Sequence, residues 1–120
     1  MKLNLKKYKR PGRQLRKAPS VTVSERGFMF NAAAYRNFFS GVDYVELYWD
    51  GQNHVIGILP QKKETDFTFH VRAYRQESSP TVLVNARPFI SDHKIMEILK
   101  EKKTFPIEES EGMLLVRLKN

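Results

Sequence analysis

Eight positive side chains, Lys2, Lys6, Lys7, Lys9, Arg10, Arg13, Arg16 and Lys17, crowd the stretch before Ser20, which holds no Asp or Glu. Cations at that density without counter-charges suit a polyphosphate, because each phosphate they neutralise releases condensed counterions. The thirteen remaining basic residues are matched by all thirteen acidic ones in the segment 20–120, so the net charge of +8 belongs to this arm. Tyr8 lies among the cations, where its ring can stack on a base or simply anchor the arm by packing. A solubilising tail, or a clamp on an acidic protein surface, would use the same charges.

Catalysis finds few residues to carry it. His54, His70 and His93 stand far apart in the chain, and there is no Cys. Only folding could gather the three into a metal site, so isolated histidines are expected. No Gly-x-Ser-x-Gly, phosphate-loop or Gly-x-Gly-x-x-Gly motif occurs. Glu108, Glu109 and Glu111 read as the solvated tip of a hairpin. The expectation is a protein that is not an enzyme and has no cofactor and no metal. Without Cys there are no disulfides, which fits a reducing compartment. No apolar run approaches the ~18 residues of a membrane span, and no apolar stretch follows the first cations as an export signal requires. A cytoplasmic protein without a membrane partner is expected.

The elements that must position these charges follow from periodicity and turn signals. Val21-Thr22-Val23 and Phe28-Met29-Phe30 are short strands around the polar turn Ser24 to Gly27. Asn31 is a good N-cap for a helix from Ala32 to Phe39 that Ser40-Gly41 stops. Tyr44 to Trp49 alternates as a strand, Asp50-Gly51 turns it, and Val55 to Leu59 returns. Phe67 to Tyr74 is a further alternating strand. Thr81 to Val84 is another, followed by a turn at Asn85 to Pro88. Ser91-Asp92 then caps a predicted helix from about His93 to Lys102, and Phe105 to Leu118 closes the chain as a hairpin turning at Glu109 to Gly112. Tyr35, Phe38, Phe39, Trp49, Phe67 and Phe69 have the spacing of buried faces.

The order of elements repeats. With Phe30 laid on Ile90 and no gap introduced, Asn31 falls on Ser91, Tyr35 on Ile95, and Phe38-Phe39 on Ile98-Leu99. The expected organisation is a basic arm at 1–19 and one globular domain at 20–120. That domain holds two pseudo-repeats, 20–60 and 80–119, joined by a connector with an extra strand at 61–79. The fold class is mainly β with two short helices.

The stretch from Val21 to Pro60 resembles the AbrB-like swapped-hairpin DNA-binding family. The resemblance lies in Arg26-Gly27, the strand Phe28 to Phe30, the capped helix Asn31 to Phe39, Gly41-Val42-Asp43-Tyr44-Val45-Glu46-Leu47, and the return Val55 to Pro60. The segment 81–118 carries it more loosely. Position 31 is Asn where the family usually has Pro, an exchange the capping preference makes neutral. The family's chains are mostly single units that pair to complete a barrel. Two units in one chain imply a barrel that closes on itself, as in MraZ-like two-repeat relatives.

The resemblance implies that basic residues of the first Gly turn and of the helix face approach DNA. That selects Arg26 and Arg36, with Arg87 and Lys94 in the corresponding neighbourhood of the second unit. Lys6, Lys7, Lys9, Arg10, Arg13, Arg16 and Lys17 join them from the arm. The expected function is double-stranded DNA binding, with transcriptional regulation or DNA architecture as the output. An assembly module whose arm docks on an acidic partner or a neighbouring subunit is the rival, homo-oligomers being compatible with either. RNA binding is a third reading with the same electrostatics.

Overall fold

Alternating burial builds the strands, and the way those strands interleave decides which side chains share a face. The structure, a computed structural model, describes residue 5, residues 18–76 and residues 79–118, without the side chains of Arg75, Gln76 and Ser79. β1 (Ser20–Ser24) buries Val21 and Val23, turns at Glu25-Arg26, and returns as β2 (Gly27–Phe30). A single turn of helix, α1 (Ala32–Ala34), continues into a π-helical turn, Tyr35–Phe39. The hairpin of β3 (Tyr44–Asp50) and β4 (Val55–Gln61) follows, then β5 (Thr68–Gln76) and β6 (Ser79–Asn85). Helices α2 (Arg87–Asp92) and α3 (Ile95–Leu99) precede β7 (Lys103–Pro106), β8 (Glu108–Ser110) and β9 (Met113–Arg117).

The strands form one antiparallel sheet in the order β7-β1-β2-β6-β5-β3-β4-β9-β8. Its two ends, β7 and β8, are separated in the chain by Ile107 alone, so the sheet curls into a nearly closed barrel. The pairings are reciprocal. β2 pairs with β6, and β4 with β9. β1 pairs with β7 as β5 pairs with β3, and the hairpins β1–β2 and β5–β6 answer each other. Each half therefore lends its first strand to the other half, and neither could bury its apolar face alone. Inside lie Val21, Val23, Phe30, Phe39, Val45, Ile56, Ile58, Val82, Ile95, Leu114 and Val116, all essentially removed from water.

Three expectations change. By pairing, β5 rather than β6 is the counterpart of β1, and β6 that of β2, so laying Phe30 on Ile90 does not describe how the halves match. The predicted helix from His93 to Lys102 is instead two pieces that begin at Arg87 and break at Lys94, which is left-handed at φ 54°. Pro88 explains the early start, since a first helical turn has no use for the N–H that proline lacks. The break lets Phe89, Ile90, Ile95 and Leu99 all reach the core. Finally, Phe67 is 76% exposed, because it precedes β5 in a turn tied by Thr65 and Thr68.

β2 and β6 approach so closely that residue 27 must be glycine. A Cβ there would lie 2.2 Å from the Val84 oxygen and 2.7 Å from the Ala86 nitrogen, and its φ of +136° is unfavourable for any side chain. Gly27→Ala should cost roughly 3 kcal/mol or more of stability, read as a lowered urea midpoint at unchanged m-value. A midpoint equal to that of the wild type would show that the seam can open without loss.

Candidate nucleic-acid interface

The arm's cations, Lys6, Lys7, Lys9, Arg10, Arg13, Arg16 and Lys17, lie outside the described residues, but the root of the arm is visible. Asn31 Nδ2 donates to the Ala18 carbonyl at 3.0 Å, and the Ser20 amide donates to Asn31 Oδ1 at 3.1 Å. The same Oδ1 caps α1 by accepting from the Ala34 amide at 2.9 Å, and the Asn31 amide donates to the Ser20 carbonyl at 3.2 Å. On the other side the Ile107 amide donates to the Pro19 carbonyl at 3.3 Å. Proline at position 31 could make neither the amide bond nor the side-chain bonds. The exchange that looks neutral as a matter of capping is what fastens the arm to the barrel.

Of the four cations expected on the globular part, two come from neighbouring stretches of backbone. Arg26, exposed in the β1–β2 turn, accepts from the Ala86 amide through its carbonyl at 2.9 Å, which sets it beside Arg87 at the start of α2. Arg36 is exposed on the π-helical turn, which follows the other end of β2, so it does not join them. Lys94 is exposed at the left-handed break between α2 and α3.

Strand pairing reveals further contributors that periodicity alone does not single out. β1, β2, β5, β6 and β7 contain no Asp or Glu; the carboxylates carried in strands are Glu46 and Asp50 on β3, and Glu108 and Glu109 on β8. Across the outer face of the carboxylate-free strands runs the row Thr104–Thr22–Met29–Leu83–Arg72, with Tyr74 opposite Thr81 beside it. Met29 and Tyr74 are nearly half exposed, and Arg72 is exposed. The Thr22 and Thr104 hydroxyls share a 2.7 Å hydrogen bond. The signal is present in the alternation from Phe67 to Tyr74, whose outward positions are His70, Arg72 and Tyr74. This face offers cations, hydroxyls and an aromatic ring with no strand-borne anion among them, the inventory a nucleic-acid backbone and its bases require.

The opposite half is different in kind. Glu46 accepts from the Tyr48 hydroxyl at 2.8 Å and from the Gln61 amide, and the first of these bonds holds the phenol pKa above its ordinary value. Arg117 pairs with Glu108 at 3.1 Å. An open cleft of about 830 Å³ lies between Tyr48, His54, Val55, Met113, Leu115 and Arg117. His54 and His93 both rest against Trp49, with ring centroids 6.0 and 5.7 Å from it. Among the described residues no three His, Asp or Glu gather as a metal site requires. No helix among them is long and apolar enough to cross a membrane.

Comparisons with models of known families, with curated proteins and with solved structures return no match for this chain. Its chemistry has to be argued from its own residues.

Two predictions concern the supports of these faces. Asn31→Ala should lower stability by roughly 1–2 kcal/mol in thermal unfolding, and should speed exchange of the Ser20 and Ala34 amides, which lose their acceptor. Asp50 is held below the usual carboxylate range by the Asn53 side-chain amide, then by the backbone amides of Asn53 and Gln52. Its contribution to stability is present above the unfolded-state pKa and is lost as pH falls through the lowered folded one. Asn53→Ala should move the Asp50 titration upward in carboxyl NMR; an unmoved titration would remove Asn53 as the cause.

Proposed function

We propose that this chain is a DNA-binding protein of AbrB-like type, acting in transcriptional regulation or DNA architecture, with a cytoplasmic location. The observation that carries the reading is a continuity: the arm with eight cations enters the barrel through β1, a member of the half whose strands bear no carboxylate. Arg26 and Arg87, joined across the β2–β6 seam, and Arg72 with Tyr74 on β5 supply fixed contacts on or beside that half. The interleaved pairing of the two halves also supports the family reading, since a single chain closing its own barrel is what two swapped-hairpin units imply. Fixed cations set orientation on a duplex, while the arm supplies affinity that salt weakens.

Fluorescence anisotropy with random duplex DNA across a salt series tests the reading. The full chain should bind with a steep dependence on salt. A Lys6→Gln, Lys7→Gln, Lys9→Gln, Arg10→Gln variant should lose about 0.9 from the slope of log K against log salt for each phosphate contact removed. Arg26→Ala with Arg87→Ala should weaken binding while leaving the unfolding midpoint in place. Failure of the full chain to bind any duplex at low salt would end the proposal, and stronger binding to RNA of equal length would transfer it to RNA.

A further inference from the structure

β8 is an edge. It pairs with β9 along one side, and among the described residues nothing pairs with its other side. Exposed strand edges are templates for another strand, so a natural protein covers or guards them. Here the neighbouring ladder points at an occupant. β1 runs antiparallel to β7 with Val23 opposite Lys103, Thr22 opposite Thr104, Val21 opposite Phe105 and Ser20 opposite Pro106. The Ile107 amide bonded to the Pro19 carbonyl is the next rung. The same register, if carried on, would set Ala18 opposite Glu108, Lys17 opposite Glu109 and Arg16 opposite Ser110. Backbone groups alternate sides along a strand, so the Glu109 N–H and C=O point the same way as those of Ile107, toward the prolonged β1. Glu108 meanwhile faces Leu115 on β9.

We propose that the root of the basic arm, Arg16 and Lys17, docks as a prolongation of β1 along the free edge of β8, and that polyphosphate competes with this edge for the arm. Charge agrees with geometry. Glu109 and Glu111 are exposed, and among the described residues they carry no salt bridge and Glu108 pairs only with Arg117. An anionic edge repels a second copy of itself and attracts a strand with cations opposite it. Pairing with the arm would complete the barrel's seam and hold part of the arm's charge away from other anions. The docking stands on the ladder alone; the competition rests on the nucleic-acid reading above.

The test uses the full chain and needs no nucleic acid for its first part. The Glu109 amide should exchange with solvent more slowly than the Glu111 amide at the hairpin tip. Trypsin should cut after Arg16 and Lys17 more slowly than after Lys9 and Arg13. Glu109→Gln with Glu111→Gln should accelerate cleavage at Arg16 and Lys17 by roughly two- to fivefold, the range of a cross-strand charge pair. The acceleration should shrink at about 0.5 M salt, where such pairs are screened. A Glu109 amide as labile as that of Glu111, with equal cleavage in both proteins, overturns the docking. Slow Glu109 exchange that appears only at high protein concentration would mean the edge pairs between copies, and overturns it as well. In the second part, the same double variant should bind duplex DNA roughly two- to fivefold more tightly at low salt, since the arm is released. Unchanged affinity with the first part intact rejects the competition, whereas absence of all DNA binding rejects the proposed function and leaves the docking standing.

Discussion

One of the seams that join the two halves runs between β2 and β6, and it can close only because residue 27 has no side chain to hold the strands apart. Four rungs join these strands, from Gly27 opposite Asn85 to Phe30 opposite Val82. At the Gly27 end the chain leaves β6 through Ala86, whose amide reaches across to the Arg26 carbonyl. That single seam fixes several things at once. It seats Phe28 against Phe89, with ring centroids 6.3 Å apart, so that α2 closes the end of the barrel. It lets β1 reach β7 and β5 reach β3, which is what makes the halves interdependent. It also sets Arg26 and Arg87 side by side, although half the chain separates them in the sequence.

Charge is sorted by the same topology. Because the first strand of each half is lent to the other, β1, β2, β6 and β5 become neighbours, and β3, β4, β9 and β8 become neighbours. The first group carries no carboxylate and the second carries Glu46, Asp50, Glu108 and Glu109. A protein whose folded part is formally neutral thereby presents one half whose strands bear no anion. Fields from exposed charges fade over a Debye length of about 8 Å in physiological salt. A half of a barrel is large enough on that scale for its local composition, rather than the net charge, to decide what approaches it.

Much of this is legible in the sequence, and the failures have particular causes. Alternation places most strands, the apolar spacing identifies Phe39 as interior, and the clustering of cations before Ser20 needs no structure. Pro88 misleads, because Asn85 to Pro88 has turn composition, yet proline is also at home in a first helical turn. The repeat falls in the wrong register because helices and hairpins are matched by distance along the chain, whereas strands are matched by partners. Arg72 and Tyr74 escape notice for a similar reason. Their outward orientation follows from alternation, but that β5 lies beside β6, a strand without carboxylates, depends on the pairing. Asn31 reads in the sequence through one hydrogen bond, its cap, while its other polar groups hold Ala18 and Ser20, thirteen and eleven positions away.

The cation at position 94 is placed by apolar burial rather than by charge. Lys94 owes its position to hydrophobic burial: Phe89, Ile90, Ile95 and Leu99 can all enter the core only if the chain reverses between α2 and α3, and Lys94 takes the left-handed conformation that reverses it. His93, wedged between Phe89 at 4.9 Å and Trp49 at 5.7 Å, holds that reversal against the β3–β4 hairpin. The root of the cationic segment is held at Ala18 by Asn31 and at Pro19 by Ile107. On the proposed reading the cations of the folded part would set orientation, and the hydrogen-bonded root at Asn31 is where the cationic segment joins the barrel.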